Sequence, residues 1–86
     1  MSNSRELKTM NIYEYQFITV CPNDGEKINY SLQVESDQMI MAEHIVETCR
    51  QIKGFQEAIA SELKEKVGGN VKLTGTHSGV RITSIL

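Results

Sequence analysis

Tryptophan is absent from this 86-residue sequence, proline occurs once and cysteine twice. Aromatic rings are confined to three tyrosines and two phenylalanines. Each scarcity closes off a class. Two cysteines, Cys21 and Cys49, are too few for a disulfide framework, and they read as small buried hydrophobes of a reducing compartment. No apolar run approaches the ~20 residues that a membrane helix needs. The first ten residues, MSNSRELKTM, hold no apolar stretch of the kind a secretory signal carries. They read as a polar, flexible tail over 1–10, ahead of a single domain over 11–86 in the cytoplasm. Nine basic and eleven acidic residues leave a formal charge of −2. That is neither the basic footprint of a nucleic-acid binder nor the charge of an acidic mimic. A cleft between two domains, a barrel enzyme or a complete doubly wound fold needs a longer chain.

What is present is clear punctuation. Asn11 to Cys21 is rich in β-branched and aromatic residues and reads as a strand. Glu26 to Glu35 alternates Ile28, Tyr30, Leu32 and Val34 with polar residues, the period of a half-buried strand. Pro22-Asn23-Asp24-Gly25 between them suits a four-residue loop on a type I turn. That loop sets Phe17 opposite Tyr30 and Tyr15 opposite Leu32, so the aromatic and aliphatic rows share one face. A second hairpin runs from Val71 to Leu86 around Ser78-Gly79, with His77 opposite Val80 and Gly75 opposite Ile82.

Between the hairpins an apolar stripe passes through Met41, Ile45, Cys49, Ile52, Ile59, Leu63 and Val67 at helical spacing. Ser36 or Asp37 is the expected N-cap and Gly68-Gly69 the stop. Gly54 falls inside, and because the stripe stays in phase across it, one long helix bent at Gly54 is expected. The fold class is therefore α+β, in the order ββαββ. A single helix returns the chain to the starting end of strand two, so strand three should pair with strand one. The expected result is a four-stranded antiparallel sheet of order 2-1-3-4 with the helix on one face.

No second helix remains for the other face. It is expected to show Ile12, Ile18, Val20 and Ile85 among polar residues that include Lys72 and Arg81. With strands one and three central, Ile18 and Val20 would sit in the middle of an uncovered patch. The reading that follows is a small non-enzymatic protein-binding module. It would be a homodimer, or an adaptor or inhibitor of a larger assembly, acting through that face. The alternative is weak nucleic-acid binding through Lys72, Arg81, Arg50 and Lys53. No cofactor, metal or membrane partner is expected.

Catalytic constellations are thin. His44-x-x-Glu47 lies on one helix, where metal carboxylate sites draw on several. Cys49 with His44 or His77 lacks an orienting third group. Gly68-Gly69-Asn70 does not stand between a strand and a following helix, as a phosphate cradle does. Tyr13, Tyr15 and Phe17 resemble the stacking aromatics of sheet-based RNA binders, but the register turns them inward. Met39 and Met41 read as gap-fillers of the core.

Overall fold

The structure is a computed structural model, and it describes residues 9–86. The tail expected over 1–10 lies, through residue 8, outside the described residues. The elements are β1 (Asn11–Val20), β2 (Lys27–Ser36), α1 (Ala42–Gln51), α2 (Gln56–Val67), β3 (Asn70–His77) and β4 (Val80–Ile85). Both hairpins form in the expected registers. Phe17 faces Tyr30 and Tyr15 faces Leu32, while His77 faces Val80 and Gly75 faces Ile82. The first turn closes with the Cys21 N–H donating to the Glu26 carbonyl at 2.7 Å and the Gly25 N–H to the Cys21 carbonyl at 2.9 Å. In the second turn Ser78 and Gly79 both take positive φ, 52° and 82°, the backbone that a two-residue loop between right-twisted strands demands.

The centre of the chain departs from expectation. The single long helix is two helices, and the strand order is β1-β2-β3-β4 in place of 2-1-3-4. Ser36 does not cap a helix. It ends β2, and its hydroxyl accepts the Gln38 N–H at 3.0 Å in a local turn. The segment after it is tied to β1, because the Tyr13 hydroxyl accepts the Ile40 N–H at 3.0 Å. Only then does α1 begin, with Met41 at the N-cap position and no side-chain cap. Met41 is exposed rather than part of the core stripe.

At the far end of α1, Ile52 is extended (φ −84°, ψ 140°) and buried. Gly54 takes φ +128°, outside the right-handed helical region. The chain reverses there. His44 near the start of α1 donates its Nε2–H to the Lys66 carbonyl near the end of α2, at 2.8 Å. The helices are therefore antiparallel neighbours. An apolar stripe keeps its phase through this reversal because both helices turn the same side toward one sheet.

The sheet order follows from counting passes. Two helices carry the chain across the sheet and back, so β3 starts beside the end of β2 and runs antiparallel to it. Gly69 makes the close approach possible. A Cβ there would lie 2.7 Å from the Glu35 carbonyl oxygen. The core lies between the sheet and the helix pair. Tyr30, Ile28, Val34, Val71 and Leu73 from the sheet meet Ile59 and Leu63 of α2 and Ile45, Cys49 and Ile52 from the α1 side. α1 packs on β1, and α2 on β3 and β4. No helix among the described residues is long and apolar enough to cross a membrane.

Candidate functional site

The corrected strand order separates the residues expected to form one surface. Ile12, Ile18 and Val20 are exposed, but β1 is an edge strand. Ile85 is exposed on β4, the opposite edge. The central strands between them present Asn29, Ser31, Gln33, Lys72 and Thr74 on that face. The helix-free face is thus polar in its middle and apolar only at its margins. Lys72 and Arg81 border a shallow depression of about 260 Å³ with Glu14, Gln16, Ser31 and Gln33. Arg50 and Lys53 lie elsewhere, beside a cleft at the end of α1. The four cations do not share one surface.

That cleft opens between the C-terminal half of β1 and the last turn of α1, and its volume is about 600 Å³. Tyr15 and Phe17 supply rings to its lining, with centroids 6.4 Å apart and planes 15° from parallel. Phe17 in turn leans on Tyr30 at 5.5 Å, so the ring pair is braced from beneath. Ile52 and Cys49 add apolar and thiol surface. Arg50 and Lys53 bring positive charge to it. Arg50 also pairs with Glu47 at 3.0 Å, an exposed ion pair of small energetic worth. Lys53 has no ion pair among the described residues. An apolar, ring-bearing wall beside two cations suits a molecule with a flat apolar body and an anionic group.

The two thiols beside this cleft differ. Cys49 is buried, and burial pushes its pKa up from the ordinary 9.0 to about 11, so it stays protonated and inert. Cys21 is half-buried and stands between two cleft residues, Val20 and Pro22. Neither histidine bonds to a cysteine. His44 is bound to the Lys66 carbonyl.

His77 belongs to a network that the sequence did not announce. Gln56, in the first turn of α2, is buried. Its Nε2 donates to the carbonyls of Leu73 (3.0 Å) and Ile82 (2.9 Å) and lies 3.2 Å from the Ser84 hydroxyl. Carbonyls only accept, so these bonds fix which way the amide points. Gln56 Oε1 then faces His77 Nε2 at 2.7 Å, and His77 must carry its proton there. The Tyr30 hydroxyl lies 3.4 Å from the same nitrogen. Burial, and secondarily the charge of Cys21, raises the Tyr30 pKa above its ordinary 10.0. One side chain thus joins α2 to both strands of the second hairpin. A glutamine at that place in an amphipathic helix carries no sequence signal of such a role. Among the described residues no group of three His, Cys, Asp or Glu side chains could hold a metal ion.

No protein-family model matches the chain, and no curated protein matches it. Its fold does match a solved structure, that of the archaeosine synthase QueF-Like in the apo form, with a TM-score of 0.68 over 90% of each chain. Sequence identity is 18%, so the likeness is one of fold. It corrects the functional expectation. A non-enzymatic module docking proteins through the helix-free face is set aside on two grounds. The architecture is one that a synthase carries, and the apolar patch that motivated the idea is divided between two edges.

Proposed function

We propose that this protein binds a small planar molecule bearing an anionic group, in the cleft between β1 and the end of α1. The carrying observation is the pairing of Tyr15 and Phe17 with Arg50 and Lys53 around one space of about 600 Å³. That volume lies within the range of small-molecule sites. The rings take the flat body by stacking and apolar contact. The cations take the charge, Lys53 more freely than Arg50, which shares its charge with Glu47. A fold that also serves a synthase supports a role in handling small molecules over one as a docking platform.

The test compares charged and uncharged partners of one shape. Nucleoside 5′-monophosphates and the matching nucleosides are titrated against the full chain, with thermal shift and tyrosine fluorescence as readouts. The monophosphates should raise the melting temperature more than the nucleosides do. Lys53→Ala should remove most of the difference. Equal responses to the charged and uncharged members would overturn the reading.

A further inference from the structure

The exposed edge of the sheet has a chemistry of its own, which does not depend on the cleft's ligand being identified, although Ile18, Thr19 and Val20 also line that cleft. β1 is a ten-residue edge strand without proline, lysine or interruption of its ladder, devices that normally blunt an edge, and Glu14 is its one charge. The Cys21 N–H bonds to Glu26, just ahead of β2, and by the two-residue alternation of an antiparallel ladder the odd residues of β1 bond to β2. The even residues, Ile12, Glu14, Gln16, Ile18 and Val20, therefore turn their backbone N–H and C=O outward. Their side chains lie on the helix-free face, and Ile12, Ile18 and Val20 are at least half exposed.

The strand also reads nearly the same in both directions. About Tyr15, Glu14 mirrors Gln16, Tyr13 mirrors Phe17, Ile12 mirrors Ile18, Asn11 mirrors Thr19 and Met10 mirrors Val20. An antiparallel pair of identical strands with Tyr15 on the two-fold axis places each of these residues opposite its mirror partner. Isoleucine then meets isoleucine, an aromatic ring meets a ring, and glutamate meets glutamine. No like charges stand directly opposite. The two Glu14 carboxylates fall on a diagonal, roughly 7–8 Å apart. β4 offers no comparable match. It has six residues, and its one charge, Arg81, has Thr83 or Ile85 as its mirror when the strand is reversed about Ile82 or Thr83.

We propose that two copies of this chain join through β1, edge to edge and antiparallel about Tyr15, into one continuous eight-stranded sheet. The surface used is the strand edge, not the helix-free face. In this register the second copy's Asn11 and Tyr13 stand opposite Thr19 and Phe17, at the side of the β1–α1 cleft. Each cleft gains a wall from the other copy.

Sedimentation velocity on the full chain over micromolar concentrations gives the first test, with a mass twice that of the chain expected. Ile18→Lys places a charge opposite Ile12 of the second copy, at a position exposed in the single chain, and should yield monomers with an unchanged circular dichroism spectrum. Glu14→Gln completes the mirror pattern, removes the diagonal repulsion and should tighten the dimer several-fold. If Ile18→Lys does not fold, the Glu14→Gln comparison decides alone. The register is read separately. With Cys21→Ser and Cys49→Ala in place, Asn11→Cys with Thr19→Cys should oxidise to a covalent dimer, because non-hydrogen-bonded pairs bring Cα atoms to about 4.5 Å, within disulfide reach. A monomeric wild type overturns the proposal, as does a larger ring or polymer whose mass ignores the β1 substitutions. Failure to cross-link in a confirmed dimer overturns the Tyr15-centred register.

Discussion

The two halves of this small protein are built to different standards. On one side, α2 lies on β3 and β4; its contact with β3 is closed, while a groove of about 460 Å³ without rings or cations opens between α2 and β4. Ile59, Leu63, Val71 and Leu73 are almost wholly buried. Gly75 leaves room for the Tyr30 ring, and Gln56 fastens the helix to both strands. On the other side, α1 lies on β1 and leaves an open cleft with two cations beside it. The tight half has its polar groups satisfied internally, whereas the loose half leaves Lys53 and the half-buried Tyr15 ring to be used, with Phe17 buried behind it. The rings and cations lie on the α1–β1 side, and the proposed binding role rests on that difference.

The largest expected effects break the tight half. A Cβ on Gly75 would lie 2.6 Å from Tyr30 Cε1, in a ring that also packs against Phe17 and His77. Gly75→Ala should cost about 3 kcal/mol in chemical denaturation, the upper part of the range for overpacking. Gly69→Ala forces a side chain against the Glu35 carbonyl at φ +74°, and a loss of about 2–3 kcal/mol is expected. A smaller loss would speak against the close β2–β3 approach that sets the strand order. Gln56→Leu strips hydrogen bonds from two carbonyls and His77, and about 2 kcal/mol is expected. Gly69→Ala should leave ligand affinity unchanged in protein that remains folded, whereas Gly75→Ala displaces Tyr30, on which Phe17 of the cleft leans, and should weaken it.

How much of this was legible depended on how local the cause was. Both hairpin registers could be read because Pro22-Asn23-Asp24-Gly25 and Ser78-Gly79 each fix their own pairing. The helix reversal could not. Cys49, Ile52 and Ile59 stay in phase whether the chain runs on through Gly54 or doubles back over the same sheet, and periodicity reports only which side is apolar. The strand order failed with it, because the direction of β3 depends on the number of passes. The cleft was hidden for another reason. Arg50 and Lys53 look like ordinary cations at a helix C-terminus, and only the fold brings Tyr15 and Phe17 up to them.

Smaller effects sharpen the contrast from the loose side. Lys53→Ala should weaken binding of an anionic ligand about five- to tenfold, roughly 1–1.4 kcal/mol, with no change in melting temperature. Arg50→Ala should weaken it less. The thiols give a readout without any ligand. The folded protein keeps the Cys49 proton up to about pH 11, whereas an unfolded thiol begins to lose its own near 9.0. The unfolded state therefore binds fewer protons in that window, and stability falls as pH rises through it. Cys49→Ala should flatten that part of the decline. Near neutral pH, iodoacetamide should modify Cys21 well before Cys49.

The location of binding is the central claim, and a two-dimensional ¹⁵N–¹H titration with a nucleoside monophosphate tests it most directly. Shifts confined to the amides of Tyr15 to Val20 and Arg50 to Gly54, with those of Leu73 to His77 unmoved, are the expected result. Shifts centred on Lys72, Thr74 and Arg81 of the helix-free face, or no shift at ligand excess, would contradict it.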